Sequence, residues 1–174
     1  VSVNKQVAIE TELADADIEG FTLNDTLDGL NGTTPSASAG VAYTVGRFQQ
    51  GLSVTPGTTE ISYSISIPSE FNTTFWIRPG AKGQDLDVLT LHGTAGDLML
   101  KYDGDAGVFY LLDSSSNRLN APVALFEAGD PVLIGIVQTS TTRRLFVGVL
   151  KEEAVVSNSV IMGPIGSFTQ MNLY

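Results

Sequence analysis

Carboxylates dominate the side chains that could do chemistry: 19 Asp and Glu stand against 9 Lys and Arg. Two pairs have a spacing that could hold a cation, Asp85 with Asp87 and Asp103 with Asp105. Calcium is the cofactor they suggest, but it takes about 6–8 oxygens and neither pair supplies that many. Asp103-Gly-Asp-Ala-Gly107 is also the composition of a tight turn, and that reading is preferred. Glu152 and Glu153 are neighbours, so on a strand they point to opposite faces and cannot act as a facing acid pair. His92 is the only histidine, and no Gly-x-Ser-x-Gly elbow is present for it to serve. The expectation is a chain without a catalytic centre.

A second set of residues suits a sugar. A flat aromatic covers the apolar face of a pyranose ring, while charged groups and amides take its hydroxyls. Trp76 and Arg78 share one strand face by period two. His92, Lys101 and Tyr110 are the further ligand-binding candidates, with Tyr43 and Tyr102 as alternative aromatics. The competing reading of Trp76 is a core residue.

Charge removes several classes of partner. The formal net charge is −10, the wrong sign for neutralising phosphates on nucleic acid or for resting on anionic lipid. The absence of cysteine excludes disulfides, thiolate catalysis and cysteine zinc sites. No apolar run approaches the ~20 residues of a membrane-spanning helix. The chain opens on Val1 with no basic and apolar leader, as a processed or trimmed product would.

The elements that must position these groups read as short strands. Ile61, Tyr63, Ile65 and Ile67 alternate with Ser62, Ser64 and Ser66, the pattern of a half-buried strand ended by Pro68. Phe71 to Arg78 is a further strand, stopped by Pro79-Gly80. Strands follow over Asp87–His92, Asp97–Tyr102 and Val108–Leu112, the last two joined by the Asp103–Gly107 turn. Pro131 to Gln138 is apolar on both parities, which predicts a central strand covered on both faces. Leu145 to Leu150 pairs with it across Thr139 to Arg144, and Val160–Met162 and Phe168–Tyr174 close the chain. Earlier, Phe21–Leu23 is a short strand, Asn24 to Gly40 a loop, and Tyr43 to Val54 two strands. Ala124 to Gly129 is a helical turn at most. About a dozen strands with turn signals between them predict an all-β fold, a two-sheet antiparallel jelly-roll sandwich. Residues 1–19 are more acidic and form an N-terminal arm or linker; residues 20–174 form the domain.

Several segments resemble, in order, the laminin G-like branch of the concanavalin A-like domains. Val45-Gly-Arg-Phe-Gln-Gln-Gly-Leu-Ser-Val54 is similar to its G-[KR]-F-x-x-[GA]-L-x-[FV] step. Phe71-Asn-Thr-Thr-Phe-Trp-Ile-Arg-Pro79 is similar to F-T-[IV]-S-[FA]-W-[IV]-[KR]-P. Gly166-Ser-Phe-Thr-Gln-Met-Asn-Leu-Tyr174 resembles the closing strand. The chain departs from the pattern at Pro131-Val132, at Gly148 and at Thr169-Gln170, the last removing an acidic pair near the final strand.

The resemblance implies a non-catalytic structural and binding module on a virion or cell surface, a decoration, fibre or adhesin component that recognises glycans. Its partners would be a surface glycan or a larger assembly such as a virion, its location extracellular or on the virion surface, and its state an oligomer or complex component. A dedicated carbohydrate-binding lectin is the alternative. A glucanase-type glycoside hydrolase is weaker still, because the Glu-x-Asp-x-x-Glu run that such enzymes carry on this fold is missing.

Overall fold

The computed structural model describes residues 27–28, 32–45, 50–53, 55, 57–78, 85–121, 130–149 and 154–174. The expected arm, the Phe21–Leu23 strand and the helical turn at 124–129 lie outside them. Thirteen strands run in chain order. They are β1 (Ala37–Ala39), β2 (Ala42–Val45), β3 (Gln50–Ser53), β4 (Glu60–Ile67), β5 (Phe71–Ile77) and β6 (Leu86–Gly93). Then come β7 (Leu98–Asp103), β8 (Val108–Asp113), β9 (Arg118–Asn120), β10 (Val132–Gln138), β11 (Thr142–Val149), β12 (Ala154–Ile161) and β13 (Phe168–Leu173).

Seven strands form one sheet in the order β1-β4-β13-β6-β7-β8-β9, and four form the second, β12-β11-β10-β5. Strands β2 and β3 make a separate two-stranded ribbon. All pairings are antiparallel. The fold class read from the sequence, an all-β antiparallel sandwich, is the one observed.

Alternation explains why the two sheets stack. Period two turns Leu98, Leu100 and Tyr102 of β7 and Phe109 and Leu111 of β8 to one side. They meet Val132, Ile134 and Ile136 of β10 and Leu145 and Val147 of β11 in one apolar cluster. Truncating one of these side chains, Leu111 for example, costs about 2–5 kcal/mol, the transfer term plus the cavity. The Ile/Ser strand β4 buries Ile61 and Tyr63 and exposes Ser64 and Ser66, while Ser62 is buried beside β1.

Several local expectations change, among them the strand expected at Val160–Met162, which runs over Ala154–Ile161, and the unexpected β9. The stretch 36–40, read as loop, contains β1, because Ser36 N–H and Oγ–H both donate to Ser62 O at 2.7 and 3.0 Å and dock it on β4. The turn after β10 is shorter than Thr139–Arg144: Thr139 N–H donates to Thr142 O at 2.8 Å, and the strand resumes at Thr142. Arg143 and Arg144 therefore stand in a strand and face opposite sides of it. Strand β10 is central, between β11 and β5, and its inner face is buried, but on its other face Leu133 and Val137 are only half-buried.

Candidate functional site

The outer face of the four-stranded sheet carries a groove of about 370 Å³, near the lower end of small-molecule sites (~300–1,000 Å³). Strand register arranges the residues of this face in three rows across β11, β10 and β5, with Arg144 and Trp76 at the margins outside the groove lining. The rows are Arg144–Val137–Asn72, Phe146–Gly135–Thr74 and Gly148–Leu133–Trp76. The two glycines explain why a groove exists at all. Without a Cβ at 135 and 148 the floor drops, while Phe146, Leu133 and Val137 stand beside it as walls. Arg144 reaches back along its strand, with its guanidinium carbon 5.6 Å from the centre of the Phe146 ring. The arrangement combines an apolar floor, two aromatic residues, an amide, a hydroxyl and one cation on one face.

The five residues expected to bind a ligand divide between the two sheets. Trp76 lies on the groove face opposite Leu133, and Arg78 follows β5 as an exposed residue. His92, Lys101 and Tyr110 belong to β6, β7 and β8 of the seven-stranded sheet. Lys101 and Tyr110 are cross-strand neighbours on its outer face. His92 is further along that sheet, its Nδ1 3.1 Å from Asp97 Oδ2. Tyr102 is buried in the core against Phe109, with ring centroids 4.9 Å apart.

The outer face of the seven-stranded sheet carries two ion pairs around Lys101 and Tyr110. Lys101 Nζ lies 2.6 Å from Asp87 Oδ1. That hydrogen bond holds the ammonium pKa above its ordinary value despite partial desolvation. The Arg118 guanidinium lies 3.7 Å over the Tyr110 ring, a cation–π contact, and its Nη2 reaches Asp103 Oδ2 at 3.1 Å. The Ala106 N–H and this Arg118 contact hold the Asp103 carboxyl below its usual range.

The suggested calcium carboxylates do come near one another at the β7–β8 turn, but as turn chemistry. Asp103 Oδ1 accepts from Ala106 N–H at 2.9 Å, and Asp85 Oδ1 accepts from Gly104 N–H at 2.9 Å. Asp87 is paired with Lys101, and Asp105 is an exposed turn residue. Among the described residues, no group of three or more His, Asp or Glu is placed to hold a metal ion.

The groove residues Asn72, Thr74, Gly135 and Phe146 are not marked by the sequence reading, and Gly148 is marked there only as a departure from the family pattern. The available signal was glycine inside two otherwise β-branched and aromatic strands, which marks a close approach or an indentation. Also missed was Arg143, the largest fully buried side chain. Its Nη1 is 3.2 Å from Asp113 Oδ2, and its Nε donates to Gln138 Oε1 at 2.9 Å.

No protein-family model and no curated protein matches the chain. Solved structures do share its fold. One is the enzymatically active domain of bacteriophage CBA120 tailspike protein 2, with a TM-score of 0.61 at 13% identity. The match covers 88% of this chain and 26% of that one. Another is the binding domain of botulinum neurotoxin serotype G, with a TM-score of 0.57 at 10% identity, over 82% of this chain and 38% of that one. Scytalido-glutamic peptidase overlaps more loosely, with a TM-score of 0.41 at 13% identity. This chain thus spans well under half of the tailspike and toxin domains, and at these identities the likeness is one of fold. Even so, it corrects the expectation of a chain without catalysis. The matched tailspike domain is enzymatically active, so an all-β sandwich of this shape is no ground for setting catalysis aside. No helix among the described residues is long and apolar enough to cross a membrane.

Proposed function

We propose that this chain is a recognition and structural module of a virion or cell-surface assembly, of the concanavalin A-like, laminin G-like kind, and that it takes a glycan along the open face of its four-stranded sheet. The carrying observation is the groove floored by Gly135 and Gly148 between Phe146 and Leu133. A pyranose presents an apolar face of C–H groups that suits such a floor and the rings of Phe146 and Trp76. Its hydroxyls would then meet Asn72, Thr74 and Arg144 on the same face. Two fold neighbours, a bacteriophage tailspike domain and a neurotoxin binding domain, add support of a weaker sort.

The test is a glycan array followed by calorimetric titration of the best hit. Binding that is weakened tenfold or more by Phe146→Ala and abolished by Gly135→Val, with unchanged melting temperatures, is the expected result. Absence of any hit, or a hit indifferent to both substitutions, overturns the reading.

A further inference from the structure

Free sheet edges are unpaired rows of N–H and C=O groups, and proteins ordinarily keep them short or guard them with Lys, Pro or a bulge. The seven-stranded sheet follows that practice, since its edge strands β1 and β9 are three residues each. Strand β12 does not. Among the described residues it is an edge strand eight residues long, Ala154–Ile161, with no charged residue, no proline and a continuous register against β11. Ile161 at its end is 90% exposed.

The direction of its free groups is fixed by its pairing. Met162 N–H donates inward to Thr141 O at 2.8 Å. Successive N–H groups on a strand point to alternate sides, so those of residues 155, 157, 159 and 161 point away from β11. One of them is held locally, Ser159 N–H donating to Asn158 Oδ1 at 2.9 Å.

The sequence of this edge is its own mirror in chemistry. Around Asn158 it reads Val155-Val156-Ser157-Asn158-Ser159-Val160-Ile161. If two such strands run antiparallel about a two-fold axis at Asn158, Ser157 opposes Ser159 of the second copy. Val156 then opposes Val160, and Val155 opposes Ile161. Like meets like at each position, which is the self-complementarity an isologous contact requires. Each outward residue exchanges its N–H and C=O with the opposing one, and Ser159 N–H trades its side-chain acceptor for a main-chain one. The charge pattern selects the same occupant. Two copies at −10 each repel, and an uncharged strand is where that repulsion is least. The opposite edge, β5 with Phe71-Asn-Thr-Thr-Phe-Trp-Ile77, has no such symmetry.

We infer that β12 is a dimerisation strand, pairing antiparallel with β12 of a second copy about a two-fold axis at Asn158. The two four-stranded sheets then become one eight-stranded sheet with both grooves on the same face. Such a pair would engage a repeated surface ligand twice, a gain in avidity that needs no new contact. The dimer does not depend on the groove binding a glycan.

Sedimentation velocity on the full chain tests it. The expected species has twice the 18.4 kDa mass of the chain. Ser157→Pro removes an outward N–H at an edge position where proline is tolerated, and Ile161→Lys places a charge at the strand end. Both should sediment as monomers with the wild-type melting temperature. Register is read by cysteine, since the chain has none of its own. The two Asn158 positions would form a non-hydrogen-bonded pair with Cα atoms about 4.5 Å apart, inside disulfide range. Asn158→Cys should therefore cross-link under mild oxidation and Ile161→Cys should not. A monomeric wild type at its highest soluble concentration overturns the inference. So does a dimer that survives Ser157→Pro, or cross-linking through position 161 in place of 158.

Discussion

Arg143 and Asp113 face each other across the interior, Nη1 to Oδ2 at 3.2 Å, with 1% and 5% of their side chains exposed. One comes from β11 of the four-stranded sheet and the other from the end of β8 in the seven-stranded sheet. The pair is an electrostatic link between two layers joined mainly by apolar packing, with a second polar contact at the edge where Asn158 Nδ2 donates to Asn120 O at 3.1 Å.

The two partners are unequally supported, which predicts unequal losses. Asp113 Oδ1 also accepts from Ser115 N–H at 3.0 Å and Asn117 N–H at 2.9 Å, so it organises the turn after β8. Arg143 has Gln138 as its other partner, and its Nη2 is buried without a hydrogen-bond partner among the described residues. Asp113→Ala strands a buried cation and releases the turn, and should cost about 3–5 kcal/mol in urea unfolding. Arg143→Met leaves Asp113 with its turn donors and should cost less, about 1–3 kcal/mol. Equal losses, or a negligible loss for Asp113→Ala, would show that the link does not hold the layers.

The same carboxylate sets an acid limit. Burial pushes the Asp113 pKa up, but the main-chain N–H and amide of Asn117, together with Arg143, outweigh it and hold the group below its ordinary value. A depressed folded value means the stabilisation is present above the unfolded value of about 3.9 and fades as pH falls through the folded one. The melting temperature should therefore drop steeply below about pH 4, and Asp113→Asn should be less stable at neutral pH but flatter in acid. Parallel curves for the two proteins would assign the acid limb elsewhere.

The layered fold could be read from particular residues. The Ile/Ser alternation of 61–67 fixed a one-sided strand, and Asp103–Gly107 turned out to be the hairpin its composition suggests, with Gly107 at φ +67°. Arg143 could not be read that way. Thr139 Oγ1 closes the turn early by accepting the N–H groups of Thr141 and Thr142 at 3.3 and 3.0 Å. Only that tertiary detail moves Arg143 out of a loop and onto the inner face. The groove was hidden for a different reason. Leu133 and Val137 made β10 look covered on both sides, because an apolar residue facing a ligand site and one facing a core look the same in sequence. The split of Trp76 from Lys101 and Tyr110 depended on which strands share a sheet, and period two does not carry that information.

Alkaline stability should be governed by Tyr63. Burial, with smaller contributions from Tyr43 and Asp28, pushes its phenol up to about 12. Its O–H donates to Leu27 O at 2.8 Å. A raised folded value gives stability that is complete below the unfolded value of about 10 and is lost as pH rises through the folded one. Burial raises Tyr102 as well, so absorbance titration at the phenolate band should show two of the five tyrosines ionising late, with Tyr63 near the unfolding transition. Tyr63→Phe should remove that late step and flatten the melting temperature between about pH 10 and 12. An unchanged number of late-ionising tyrosines in the variant would place the group elsewhere.

Two strand glycines should respond oppositely to the same substitution. At Gly135 an added Cβ would meet Phe146 and Thr74 carbons at 3.5 Å, ordinary van der Waals contact on an open face. Gly135→Ala also narrows the unfolded ensemble, so its stability should match wild type or exceed it by up to about 1 kcal/mol. At Gly93 the added Cβ would lie 2.6 Å from Ser167 O and 3.1 Å from Gly96 O, both main-chain atoms that cannot rotate away. Gly93 pairs with Phe168 just before the register shift in β13, so the crowding falls where the sheet is already irregular. Gly93→Ala should therefore lose about 1–3 kcal/mol by the overpacking route. Denaturant midpoints of the two alanine variants, measured side by side, check the contrast, and a loss at Gly135 comparable to that at Gly93 would mean the groove floor is already occupied.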